Sequence, residues 1–475
     1  MQKTRFFSLL LVGLLLPIAP GYAAPLYQFT AGATSLDAPE IVAGYRAVFT
    51  CSAYFFAGRS LDDIKKIELI DVEGKGYPDP MIDTQHRVVT AYDKTGTIFR
   101  RAAYRDSMGC TLLPPHWTLQ DLPRLPQRPD VPTPDVSALA FPAGDRVDLP
   151  ESGIDPRFPE LAVVLDRAFD GVSHAKTPGT VTNAVLVITR DKNKRYHLIA
   201  ERYAKGFGIH TSYRTWSTAK SISAALLAIA SQQGLLQLNE PAAIPEWPEG
   251  DPRRAITYKD LMWMSSGLQS GGANTAAVYF GGQDVVSAVT GSALEFKPGT
   301  HWRYANNDTL LLLRALRHVL NDDARYLRFP YDELLHPLGM YHTRMEVDYQ
   351  GNFVSSSQVY TTARDLARFG IFLDSDGVHA GKRMLPEGWI KFISTPAPSR
   401  PAVKGEWGYG AQFWLLDTMR AIPKGTYTTA GNKGQYVTVV PGHDVIIVRT
   451  GVDPQGVEYK QDRLVAEVLT VLEKK

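Results

Sequence analysis

Apolar positions along the chain change spacing several times, and each change marks an element. Near the end, "QYVTVVPGHDVIIVRTG" carries two short β-branched runs around a Pro-Gly turn, the pattern of a hairpin. The closing "QDRLVAEVLTVLEKK" instead reads as an amphipathic helix. Upstream, "FPELAVVLDRAFD" reads as a helix, and "NAVLVIT", the polar turn "RDKNK" and "RYHLIAERY" read as a second hairpin. Strands therefore stand at both ends, with mostly helical material between them. That order predicts an α/β (α+β) fold: an antiparallel sheet assembled from the two ends and flanked by helices, plus an all-helical region. Thr257 with Asp260, and Thr362 with Asp365, have the spacing of helix caps and start "YKDLMWM" and "ARDLARFG".

Before these elements, residues 24–113 read as short strands such as "YRAVFTCSAYFF" and "HRVVTAYD", a small β-rich amino-terminal segment. Seven prolines between Pro114 and Pro134 favour extended chain over packed elements. Residues 114–154 accordingly read as a linker, and 155–475 as the larger domain. The first stretch has Lys3 and Arg5, an apolar run from Phe6 to Ile18, and small residues before a plausible cut, so 1–23 reads as a secretory signal peptide. The alternative is a membrane anchor, for which the run is short and lacks a stop-transfer flank. The expected location is periplasmic or secreted.

Composition narrows the function classes. Of 475 residues, 44% are hydrophobic and 21% charged, as in an ordinary globular protein. Lys and Arg number 51 and Asp and Glu 49, and loss of Lys3 and Arg5 with the signal peptide makes them equal. Nucleic acid is therefore not an expected partner. The eleven histidines show no metal-ligand spacing, and no G-x-S-x-G elbow occurs. The two cysteines, Cys51 and Cys110, are a candidate disulfide in an exported chain; the alternative is two small buried hydrophobes.

Candidate chemistry begins in "TWSTAKSISAALL". Ser217 stands three residues before Lys220, and Ile222, Ala225, Leu226 and Ile229 follow at helical spacing up to Gly234. Ser217 thus opens a buried helix and Lys220 shares its face. A desolvated lysine has a lowered pKa and can accept the proton that a serine nucleophile must lose. A second Ser-x-x-Lys, Ser173 to Lys176, runs into Pro178 and Gly179 and reads as a loop. Tyr304-Ala305-Asn306 supplies a phenol, which as a phenolate stabilised by the lysine cation could relay a proton, and an amide that could hold a substrate carbonyl. In "TTAGNKGQYVTVVP", Gly431 and Gly434 allow close backbone approach, and the Asn432 N–H is the candidate to complete an oxyanion hole with that of Ser217. Trp407, Tyr409 and Trp414 in "GEWGYGAQFW" are core residues or the wall of a cleft.

"STAK", then "YAN", then a Gly-containing strand resembles the serine beta-lactamase and penicillin-binding superfamily in its class C branch, over roughly residues 155–475. Within it the chain is most similar to the esterase and 6-aminohexanoate-oligomer hydrolase group. The resemblance implies Ser217 as the acylated nucleophile, Lys220 as its proton acceptor, Tyr304 as general acid/base and Asn306 as a substrate-positioning amide. It implies no metal and no cofactor. Where antibiotic-hydrolysing members carry Lys-Thr-Gly, this chain has Thr429-Ala430-Gly431, with Lys433 close by. The expected function is an exported serine hydrolase of small esters or amides. The alternatives are a D,D-peptidase or beta-lactamase, and an inactive scaffold that binds peptides or proteins.

Overall fold

The computed structural model describes residues 38–72, 74–129, 133–270, 276 and 278–474. The expected signal peptide and its cut lie outside them. A seven-stranded antiparallel sheet forms the base of the molecule, and its order is Gly408–Tyr409, Trp414–Leu415, Tyr427–Gly431, Gln435–Val440, Val445–Gly451, Thr182–Arg190, Tyr196–Tyr203. Val445–Gly451 pairs on one side with Gln435–Val440 and on the other with Thr182–Arg190, so the expected hairpins from the two ends join each other in one sheet.

Strand periodicity assigns the two faces. Val185, Val187, Val440, Val445 and Ile447 pack against the helices Leu161–Phe169 and Gln461–Leu472, through Leu161, Leu165, Leu464, Val465 and Val468. On the opposite face, Val437 and Ile446 meet the helix Ala363–Asp374 at Gly370. A β-carbon there would lie 2.7 Å from Ile446 Cγ2 and 3.0 Å from Val437 Cγ1, so only glycine lets that helix approach so closely. Each fully buried Val, Leu or Ile contributes roughly 1.5–3 kcal/mol, so this sandwich contributes substantially to stability.

The helical region lies between the two hairpins in sequence. Its helices include Thr218–Gln232, Tyr258–Met262, Val285–Thr290 and Asn306–Leu320. Thr257 and Asp260 make the expected reciprocal cap, and the Thr362 hydroxyl accepts from the Asp365 N–H. A small three-stranded sheet, with Tyr213–Arg214 on one edge, leads directly into the Ser217 helix.

The amino-terminal segment begins with a helix, where strands were expected. Pro39–Cys51 is helical and runs into a wider π turn, Ser52–Phe56, so "YRAVFTCSAYFF" contains no strand. Every residue from Ile41 to Cys51 is buried, which erases the polar face that would reveal a helical period. The readable start signals are Pro39 in the first turn and Glu40 beside it. The helix packs on a four-stranded antiparallel sheet, Met81–Asp83, Val88–Tyr92, Phe99–Arg105 and Gly109–Leu112. "HRVVTAYD" supplies the second of these strands, as its alternation predicts. A disulfide between Cys51 and Cys110 fastens the helix end to the last strand.

Thr34–Lys475 form one compact unit. The proline-rich stretch between segment and sheet is mostly exposed, but it holds a short 3-10 helix, Leu119–Arg124, and is anchored at several points. Leu125 and Trp117 join a small core with Val88 and Leu113, and Arg368 donates to the carbonyls of Pro142 (2.9 Å) and Gly144 (2.8 Å).

Candidate active site

Ser217 lies where strand turns into helix. Thr215 N–H donates to Val359 O (2.8 Å), Trp216 takes a left-handed φ of 49°, and Ser217 caps the helix Thr218–Gln232. A tryptophan with positive φ costs backbone energy that surrounding contacts must offset. Here Trp216 packs on Phe49 of the amino-terminal helix, with ring centres 5.4 Å apart, and under the Arg214 guanidinium at 4.7 Å. The Ser217 hydroxyl makes no capping bond to its own helix, which leaves it available for other partners.

One turn on, Lys220 is 1% exposed. Its ammonium donates to Ser217 Oγ (3.1 Å), Asn306 Oδ1 (2.5 Å) and the Ser356 carbonyl (2.7 Å). Three donors thus meet three acceptors, and none of them is a carboxylate. Burial without a compensating negative charge pulls the lysine pKa down to about 7. Near neutrality a large fraction of the amine is neutral and has a lone pair to offer the serine proton.

Tyr304 is hydrogen-bonded to Ser217, and burial pushes its pKa up to about 12. Its ring lies 5.2 Å from Lys220 Nζ, 5.9 Å from the Tyr409 ring and 5.6 Å from that of Trp414. The resting group near neutrality is therefore a phenol. The phenolate expected from the sequence would need the lysine cation to outweigh that desolvation. Tyr409 is buried, whereas Trp302, Trp407 and Trp414 are partly exposed, so the aromatic cluster combines core with cleft wall. Asn306, first residue of the helix Asn306–Leu320, accepts from the Lys220 ammonium through its side-chain oxygen and so helps hold the lysine in place.

The third motif closes against the nucleophile from the sheet. A β-carbon on Gly431 would lie 2.1 Å from the Thr215 carbonyl oxygen, so glycine is required for strand Tyr427–Gly431 to reach the chain just before Ser217. Thr218 Oγ1 bonds to Thr429 Oγ1 and to the Gln435 carbonyl, both at 3.0 Å, and holds helix and sheet together. Asn432 follows Gly431, exposed at the start of a turn, and Lys433, buried in the same turn, takes a φ of 60°. The Lys433 ammonium is 2.5 Å from Asp71 Oδ2.

Ser217, Lys220, Tyr304 and Asn306 thus converge, and Gly431, with Asn432 next in sequence, approaches the chain two residues before Ser217. Cys51 and Cys110 lie in the amino-terminal segment. The second Ser-x-x-Lys does not form a pair: Ser173 bonds Asp170 and Lys176 bonds Glu458. Sequence reasoning missed Ser356, whose contribution is a backbone carbonyl, and Asp71, which acts from 362 positions away. Among the described residues, no group of three or more His, Cys, Asp or Glu could hold a metal, and no helix is long and apolar enough to cross a membrane.

An antiparallel sheet backed by helices, joined to a helical region with a serine-lysine pair at the seam, defines a class of serine hydrolases. Residues 166–470 match the family model described as Beta-lactamase, and the chain belongs to that family. It is similar to Protein flp of Staphylococcus aureus (strain MW2), 29% identical over 140 residues, which are 28% of this chain and 28% of that protein. In fold it is similar to a putative 6-aminohexanoate-dimer hydrolase from Bacillus anthracis, at a TM-score of 0.52 and 20% identity over 62% of this chain and 80% of the other. A putative beta-lactamase from Bacteroides dorei DSM 17855 gives the same TM-score at 18% identity, over 66% and 97% of the two chains.

Proposed function

We propose that the protein is an exported serine hydrolase that cleaves small esters or amides through an acyl-enzyme on Ser217. The observation that carries this reading is the 3.1 Å contact between the Ser217 hydroxyl and a Lys220 amine whose pKa is drawn down to about 7. In the proposed reaction the neutral amine takes the serine proton as Oγ attacks the substrate carbonyl carbon. The N–H groups of Ser217 and Asn432 receive the oxyanion, and the Tyr304 phenol, bonded to the same hydroxyl, passes a proton to the leaving group. Water then attacks the ester carbon of the acyl-enzyme and gives a proton to the Tyr304 phenolate. The Lys220 ammonium returns its proton to the departing Ser217 oxygen, which restores the resting site.

Two features support small uncharged substrates over penicillins or peptidoglycan. Thr429 stands where the resemblance puts a lysine, and it is fully buried and bonded to Thr218. Lys433, the nearby cation, is paired with Asp71. Export is supported by the disulfide, since such bonds persist in oxidising compartments.

The test compares short-chain p-nitrophenyl esters with nitrocefin and adds a fluorophosphonate probe. Ester turnover should exceed nitrocefin turnover, and the probe should label the protein but not Ser217→Ala. Rapid nitrocefin hydrolysis would replace this reading with a beta-lactamase, and equal labelling of both proteins would remove Ser217 as nucleophile.

A further inference from the structure

The amino-terminal segment has no part in the proton transfers above, yet it reaches the rim of the site. Asp71 lies just beyond its second helix, Leu61–Ile67, and its carboxylate meets Lys433 Nζ at 2.5 Å. Both groups are largely withdrawn from water, with side chains 12% and 6% exposed. The other carboxylate oxygen accepts from the Gln455 N–H at 3.4 Å. Lys433 occupies the turn directly after Asn432, and it lines a narrow crevice of about 20 Å³ together with Trp216, the residue before the nucleophile. Of the other charges lining it, Arg59 pairs with Glu68, while Arg214 is buried, stacks on Phe49 and Trp216 and donates to the Ser357 hydroxyl at 3.2 Å.

We propose that Asp71 is a specificity-determining residue: by cancelling the Lys433 charge, it makes the site select uncharged substrates over carboxylate-bearing ones. This rests on the hydrolase reading above. Without Asp71, a poorly hydrated ammonium beside the candidate oxyanion turn would draw a substrate carboxylate, because opposite charges interact far more strongly away from bulk water. The pairing also explains how the chain can keep a lysine near the third motif without presenting its charge unpaired. The segment thus contributes to substrate choice as well as to packing.

The experiment uses the full chain and two esters that differ in one terminal group, p-nitrophenyl hexanoate and mono-p-nitrophenyl adipate. The readout is the ratio of kcat/KM for the acid ester to that for the neutral one. In Asp71→Asn the ratio should rise on the order of tenfold, and the gain should shrink as salt is added. In Lys433→Asp, which leaves Asp71 facing a second carboxylate, the ratio should fall by a similar factor. A ratio that stays within twofold of wild type in either folded variant overturns the proposal, so loss of one variant to misfolding still leaves a decisive test. Failure of the hydrolase reading looks different: wild type itself would hydrolyse neither ester and would not be labelled by fluorophosphonate at Ser217.

Discussion

Lys220 Nζ sits 3.1 Å from Ser217 Oγ with no carboxylate among its partners, and this isolation governs the pH behaviour of the site. A buried lysine paired with Asp or Glu would stay charged and could not accept a proton. Desolvation alone acts here, and the pKa is drawn down to about 7. Esterase kcat/KM should therefore rise with pH through a single step near 7 as the amine loses its proton. It should then stay flat well into the alkaline range, because Tyr304 holds its proton to about 12. A stopped-flow or plate assay across pH 5 to 10 checks this, and a falling limb near pH 8 would contradict the assignment of both groups. Lys220→Ala should lower the plateau by a factor on the order of a hundred or more.

Tyr304→Phe separates the hydroxyl from the ring. The ring packs against Tyr409 and Trp414, so the variant should fold and melt close to wild type. Loss of the hydroxyl removes the bond to Ser217 and the proposed donor to the leaving group, and kcat/KM should fall by roughly 10²- to 10⁴-fold. The loss should be smaller for p-nitrophenyl esters, whose leaving group needs little protonation, than for an alkyl ester of the same acid. Equal losses on the two esters would assign Tyr304 to positioning Ser217 and not to proton delivery.

Particular residues show what the sequence made legible. Ser217 and Lys220 could be placed because Ile222, Ala225, Leu226 and Ile229 recur at helical spacing behind them, and the end hairpins because their strands are β-branched around polar turns. The helix Pro39–Cys51 is not legible in the sequence because it is buried all round, and a pattern with no polar face has no visible period. Ser356 was invisible for another reason: a carbonyl oxygen belongs to every residue, so its role follows only from the path of the backbone. The Asp71–Lys433 pair joins positions far apart in the chain, and nothing local to either residue announces it.

The disulfide should matter for the segment more than for the sheet. It links Cys51 to Cys110 across 59 positions, both residues are fully buried, and it joins the helix end to strand Gly109–Leu112. Cys51→Ser/Cys110→Ser should lose about 2–5 kcal/mol of stability, measured by denaturant unfolding against the oxidised protein. Phe49, which packs on Trp216, is two residues before Cys51, so the same variant should also slow fluorophosphonate labelling of Ser217. Unchanged labelling with lowered stability would confine the segment's mechanical influence to folding.

Glu346 gives the last prediction, because it clasps the segment from the main domain. Its Oε1 accepts from the Ser52 hydroxyl (2.6 Å) and from the Cys110 N–H (2.9 Å), while burial raises its pKa from 4.5 to about 7. The sign follows from proton uptake: between those two values the folded protein holds a proton that the unfolded chain has released, so stability falls as pH rises from about 5 to 8. Asp308, raised to about 7, and Asp348, raised to about 6, push in the same direction. Glu346→Gln keeps an acceptor oxygen for both donors and cannot ionise. Its stability should therefore fall less steeply than that of wild type between pH 5 and 8, by about 1–3 kcal/mol over that window. Chemical denaturation at the two pH values checks it, and parallel slopes for the two proteins would show that Glu346 remains ionised in its buried site.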